Sequence, residues 1–251
     1  MKKLLSKLGA ILLALLLWQG LAMLPKLSIL LASPIDVILR LGSIWKEPQF
    51  FSSLWFTFWR IVLGFGIGLV LGVGLAVLAG RFSWMETLLW PYMLTIKSVP
   101  VASFVIIVLI FFRATALSVI ISALMVLPIL YTNTLTGIKS TNPDLDRMAT
   151  IYGIPFRKKL LYVKLPQIQP YFLSGCSVAL GLSWKSGVAA ELIGIPTGSV
   201  GEALYESKIY LDTLDLFCWT LLVVLVSFGF EKCFLWMAKR VFRKLEVLPC
   251  R

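Results

Sequence analysis

The stretch Thr141–Pro166, TNPDLDRMATIYGIPFRKKLLYVKLP, is a polar island set between long apolar runs. Asn142 can cap a helix, and Pro143 suits the first helical position, where no N–H is needed. Asp144 and Asp146 fall in the first turn, where the helix dipole favours acids. Leu145, Met148, Ala149 and Tyr152 recur at i, i+3, i+4 and i+7, the spacing of one apolar stripe. Gly153 predicts the stop, because glycine adopts the left-handed closing conformation at no steric cost. Ile154-Pro155 opens a second short helix. It carries Phe156, Leu160 and Val163 on one side and turns Arg157, Lys158 and Lys159 toward headgroups or solvent. Leu165-Pro166 predicts its end. The island thus reads as two short amphipathic helices joined at a sharp bend. Such a hairpin can rest on a membrane surface or insert into a cytosolic partner, and amphipathicity alone leaves both open.

The flanks set the class. Hydrophobic residues make up 59% of the 251 residues and charged residues 14%, with a mean hydropathy of +0.91. Soluble domains hold about 45–50% apolar and about 25% charged residues. The excess comes in blocks of about 20 residues, the length that crosses a bilayer as a helix. A transmembrane β-barrel would alternate apolar and polar residues, which runs such as Val105–Phe112 do not. The expectation is an all-α, polytopic membrane helical bundle. Residues 1–251 are expected to form a single transmembrane domain, with 141–166 as a loop inside it.

About six spans are expected, at Leu8–Leu24, Leu54–Gly80, Leu88–Phe112, Ala114–Ile138, Gln169–Ile193 and Leu214–Met237. The first follows Lys2, Lys3 and Lys7, a pattern shared with cleaved signal peptides. Trp18 and Gln19 stand where small residues would precede cleavage, and no A-x-A site follows, so it reads as a retained span. Most of the 24 Lys and Arg residues fall in alternate connecting segments. The positive-inside rule then puts both termini and the island in the cytoplasm. The net charge of +12 is largely topological, and no nucleic-acid partner is expected.

Catalytic chemistry is sparse. The chain has no histidine, which removes the commonest general base and metal ligand. Cys176, Cys218, Cys233 and Cys250 are scattered without a CxxC, so neither a metal nor a cofactor is expected. No phosphate-binding Walker loop or nucleophile elbow occurs. Gly64, Gly68 and Gly72, four apart in the second span, read as a helix-packing face. Ionisable residues within spans are costly and mark function. Lys97 in the third span can attract an anion or snorkel to the interface. Lys185 and Glu191 sit in the outer half of the fifth, too far apart in angle to pair, and with Lys97 they are the candidate substrate-path residues, Lys185 to screen an entering anion. Glu191 can gate the outer mouth or satisfy neighbouring backbone. The segment Gly194–Tyr210 is a candidate outer docking surface or an ordinary interfacial helix. A membrane enzyme would need paired acids or metal ligands in the spans, and a membrane scaffold would not need the structured island.

The island resembles the cytoplasmic loop of binding-protein-dependent ABC importer permeases. That loop reads EAA, three residues, Gly, nine residues, then I-x-L-P. Ala149, Gly153, Val163, Leu165 and Pro166 match its positions, while Arg147 and Met148 stand in place of Glu and Ala. Ser33-Pro34 with Asp36-Val37, Phe58-Trp59-Arg60-Ile61 with Gly64-Phe65, Lys97–Ala102, Ala189–Leu192 and Thr197–Gly201 are similar to segments of the nitrate/sulfonate/taurine branch. The resemblance implies a type I ABC importer permease fold in a bacterial cytoplasmic membrane, without enzymatic activity of its own. It implies as partners an ABC ATPase in two copies, a second permease copy in a homodimer, an extracytoplasmic solute-binding protein and membrane lipid. The loop residues expected to couple to the ATPase are Ala149, Tyr152, Gly153, Ile154, Pro155, Leu165 and Pro166. The branch implies a small anion such as nitrate, a sulfonate, taurine or bicarbonate. Similar permeases move thiamine-precursor-like organics.

Overall fold

In lipid a chain must close its own backbone hydrogen bonds, and the apolar runs do so as helices. The computed structural model describes residues 2–24 and 31–247. Lys26, Cys250 and Arg251 lie outside them. Among the described residues every regular element is helical.

Three long helices form the centre: α3 (Phe50–Arg81), α6 (Leu117–Lys139) and α9 (Leu165–Gly194). The α3/α6 contact is made by the glycine stripe. A Cβ on Gly64 would stand 2.5 Å from the Val119 carbonyl oxygen, one on Gly68 2.7 Å from the Val126 Cβ, and one on Gly72 2.8 Å from the Leu127 carbonyl oxygen. The stripe therefore serves packing within the chain, through backbones too close for any side chain. Phe65, Val126, Leu130, Cys176, Ala179 and Leu180 fill the space where the three helices meet.

The expected third span, Leu88–Phe112, is not one helix. It divides into α4 (Ser83–Ser98) and α5 (Val101–Phe111), whose axes turn by 104°. Pro100 is the cause. It holds Val99 extended, at φ −76° and ψ 131°, and it cannot donate the next helical hydrogen bond. Helix α4 packs beside the Lys139 end of α6, through Met93 against Tyr131 and Leu135. Helix α5 packs against the opposite end of α6 and against α9 through Val105 and Ala190.

The N-terminal helix α1 (Lys2–Ala22) is tied by the Trp18 indole N–H, which donates to the Ala32 carbonyl at 3.1 Å. Helix α2 (Pro34–Ile44) begins at Ser33, whose hydroxyl accepts the Asp36 N–H. The last helix, α11 (Thr213–Val247), runs back along α9. Arg40 of α2 clamps its start, with Nε–Oδ1 2.6 Å and Nη2–Oδ2 2.8 Å to Asp215. Arg40 also pairs with Glu47. The hydrogen bond from Arg40 to Asp215 pushes the guanidinium pKa further up, so the clamp stays charged.

By length and composition, Phe50–Arg81, Ala114–Lys139 and Thr213–Arg243 can each cross a bilayer, and the bent pair α4/α5 adds a fourth if it crosses as one. The first and fifth expected spans fall on α1 and on the 30-residue α9.

Candidate coupling loop and ionisable residues of the spans

The polar island folds as a hairpin. Asn142 caps α7 (Pro143–Ile151): its side-chain oxygen accepts the Asp144 N–H at 2.8 Å, with Pro143 in the first turn. Gly153 stands at φ +64°, in the left-handed region that lets the chain reverse. The Ile154 N–H then reaches the Ala149 carbonyl at 2.9 Å, and the Gly153 N–H the Thr150 carbonyl at 3.0 Å. This pair of bonds is the Schellman closure of a helix end.

The second arm departs from the expected short helix. α8 (Phe156–Lys159) does not end at Leu165-Pro166. It passes through a π turn, Leu160–Lys164, straight into α9. Proline has no N–H and crowds the carbonyl four residues back. The wide turn sends the Leu165 N–H to the Leu160 carbonyl, which shifts the ladder and admits Pro166 without a break.

Ion pairs and hydrogen bonds lock the arms together. Lys159 Nζ lies 2.9 Å from Asp146 Oδ2 and 2.9 Å from the Thr150 hydroxyl, and Lys164 Nζ lies 3.3 Å from Asp146 Oδ1. At the base, Gln167 Oε1 accepts the Asn142 N–H at 2.7 Å. Lys159 thus folds back into the loop instead of pointing to headgroups or solvent. The Asp146 carboxyl is held below the usual carboxylate range, chiefly by the Lys159 hydrogen bond and further by Lys164.

The apolar stripe divides. Ala149 is 3% exposed and lines the inside of the hairpin with Val163 and Pro166. Ile151, Tyr152 and Phe156 are 83%, 76% and 72% exposed and form an apolar tip around Gly153. An exposed apolar tip on a locked hairpin has the form of a partner surface.

Lys97, Lys185 and Glu191 do not converge. Glu191 is fully buried. Its Oε1 accepts the Ser118 hydroxyl at 2.6 Å, and its Oε2 accepts the Thr57 hydroxyl at 2.7 Å and the Gly201 N–H at 3.4 Å. Thr57 in turn accepts the Val200 N–H at 3.0 Å. Glu191 therefore joins α9 to α3, α6 and α10 (Val200–Ile209), and part of its role is to satisfy the backbone at the start of α10. Lys185 is exposed and lines a cavity of about 450 Å³ between α9 and α11, which Glu231 also borders. Lys97 borders a separate cavity between α4 and α6. Among the described residues no cluster of three or more His, Cys, Asp or Glu could hold a metal.

Two features escape the sequence reading. Arg60, ten residues into α3, stacks its guanidinium over the Phe56 ring at 3.4 Å from the centroid. Its buried Nη1 has no partner among the described residues. The signal is an arginine inside an apolar run. The lock on Asp146 leaves a fainter trace, opposite charges on either side of Gly153.

The described residues form a helical membrane bundle that carries a locked polar hairpin with an exposed apolar tip, an arrangement that fits a transport subunit. Residues 68–247 match the binding-protein-dependent transport system inner membrane component family, and the chain belongs to it. The chain is 27% identical over 198 residues to SsuC of Bacillus subtilis, a permease protein named for aliphatic sulfonates transport (78% of this chain, 71% of the relative). It is 24% identical over 188 residues to the bicarbonate transport system permease protein CmpB of Synechococcus elongatus (74% and 67%). It is 31% identical over 144 residues to the nitrate import permease protein NrtB of Leptolyngbya laminosa (57% and 50%). The chain is thus a membrane permease component rather than an enzyme. Its family works with a separate ATPase and a solute-binding protein.

Proposed function

We propose that this chain is the permease of an ATP-driven importer for a small organic or inorganic anion. The locked hairpin Thr141–Pro166, with its exposed apolar tip, carries the reading. The tip residues Tyr152, Gly153, Ile154 and Pro155 seat in a cleft of the ATPase, joined by Ile151 and Phe156. Ala149, Leu165 and Pro166 support the hairpin from within. Two copies of the chain work with two ATPase copies, and closure of the ATPase pair on ATP moves the loops as rigid bodies. The whole chain acts as one transmembrane unit of six spans, with both termini and the loop in the cytoplasm. The opposite end, with α10, receives the binding protein. Lys97 and Lys185 draw the anion along the path, and Glu191 sets the outer end of the bundle. The branch of relatives named for sulfonates, bicarbonate and nitrate supports an anion.

Affinity purification of the tagged chain from its own host tests the core of this reading. A stoichiometric ATPase, lost when Tyr152 and Phe156 are both changed to Asp, is the expected result. A folded chain that brings down no ATPase would overturn it.

A further inference from the structure

The cavity between α4 and α6 has a composition that transport in general does not require. Its volume is about 290 Å³. The two helices run antiparallel there, and their lining residues recur at helical spacing. At the end nearer the hairpin, Lys139 Nζ stands 2.6 Å from both oxygens of Glu86, an exposed pair across the mouth. Seven residues back along α6 from Lys139, about 10 Å at 1.5 Å per residue, the Thr132 hydroxyl takes the one hydrogen bond that Lys97 Nζ makes, at 3.3 Å. That hydroxyl donates onward to the Pro128 carbonyl at 2.7 Å. Lys97 has no acidic partner among the described residues, so most of its donor capacity is uncommitted. Tyr131, in the same wall, keeps a buried hydroxyl that also has no partner among the described residues.

Charge and surface together define a ligand. Lys97 and Lys139 against Glu86 leave the lining one positive charge in excess. Trp90, Leu94 and Leu135 supply an apolar wall beside Lys97. A single excess charge favours a monoanion, because a dianion would leave one charge unmatched. The apolar wall favours a ligand with a hydrocarbon part.

We propose that this cavity is a holding site for an organic monoanion at the hairpin end of the permease. Lys97 anchors the anion, and the Glu86–Lys139 pair stands across the mouth. The site rests on the reading of the chain as an anion permease, since it gives the cargo a last station before release. The headgroup of a net-anionic lipid such as phosphatidylglycerol has the same chemistry, one uncompensated negative charge beside hydrocarbon, and the test separates the two sources.

The full-length chain in phosphatidylcholine nanodiscs would be titrated calorimetrically with butanesulfonate, sulfate and the uncharged butyl methyl sulfone. Butanesulfonate is expected to bind and the sulfone not to bind. Lys97→Met should weaken binding about tenfold or more, the worth of one charge-assisted hydrogen bond. Lys97→Arg should retain most of it. Glu86→Gln raises the excess charge to two and should move the preference toward sulfate. Discs containing phosphatidylglycerol identify the source: displacement of butanesulfonate assigns the site to lipid, and unchanged binding assigns it to free solute. Undiminished binding by a monodisperse Lys97→Met chain, or no binding by the wild type in phosphatidylcholine, would overturn the proposal. None of these variants touches the hairpin, so ATPase co-purification reports on the permease reading separately.

Discussion

Asp146 and Lys159 meet at 2.9 Å across the bend at Gly153, so one ion pair joins the two arms of the hairpin. Lys164 adds a second cation to the same carboxylate at 3.3 Å. An isolated surface pair contributes little, but a carboxylate shared by two lysines and closed by a Schellman turn fixes a shape. That shape keeps Ile151, Tyr152 and Phe156 together at one exposed tip.

Acid should loosen this lock. The folded Asp146 carboxyl titrates below its unfolded value. Its contribution is therefore present above the unfolded pKa, about 3.9, and fades as pH falls through the lower folded value. Hydrogen exchange at the amides of Gly153 and Ile154 should accelerate, beyond the intrinsic pH effect, only below about pH 4. Asp146→Asn should exchange fast at every pH. A wild-type profile in the Asn variant would refute the role of the carboxylate.

Gly153 should rank substitutions by their tolerance of positive φ. A β-branched residue at φ +64° costs about 1–3 kcal/mol, while Asn visits that region readily. Space does not enter, since a Cβ there meets nothing within 4 Å. In reconstituted complexes, uptake per ATP should fall in the order Gly, Asn, Ala, Val, with hydrolysis largely kept. Equal coupling in Gly153→Val would contradict the proposed function of the bend.

Glu191→Ala should destabilise the chain by about 3 kcal/mol or more, because two hydroxyls and one N–H lose their buried acceptor. Glu191→Gln should recover part of this, since one oxygen remains and the Ser118 hydroxyl can turn to accept. Thermal unfolding in detergent reads the difference. If Gln and Ala variants unfold alike, the carboxylate oxygens are not the joint between α3, α6, α9 and α10.

The glycine stripe offers an internal control. Gly68→Leu must push Val126 and the α6 backbone aside and should cost about 1–3 kcal/mol or prevent assembly. Gly74→Leu, where a Cβ meets nothing within 4 Å, should leave the yield of folded protein unchanged. Equal yields would mean that α3 and α6 do not pack through this face.

What was legible in the sequence was what neighbouring residues decide. Asn142, Pro143 and Gly153 announce their cap and stop because capping is local chemistry. The glycine spacing announces a close contact because it repeats along one helix. The break at Pro100 was hidden because Pro91, Pro128 and Pro170 all lie inside helices, so proline alone does not mark where a helix turns. The lock on Asp146 and the seat of Glu191 were hidden for another reason: their partners come from distant segments, and only packing brings Thr57 and Ser118 to one carboxylate.

The π turn at Leu160–Lys164 has a mechanical consequence. Because Pro166 does not interrupt the helix, the chain from Phe156 to Gly194 is continuous, about 58 Å long at 1.5 Å per residue. Its Phe156 end belongs to the hairpin tip, and near its Gly194 end Glu191 is bonded to three neighbours. In the proposed coupling, a sideways push on Phe156 would be carried along this one helix toward Glu191, with no separate relay between the loop and the bundle.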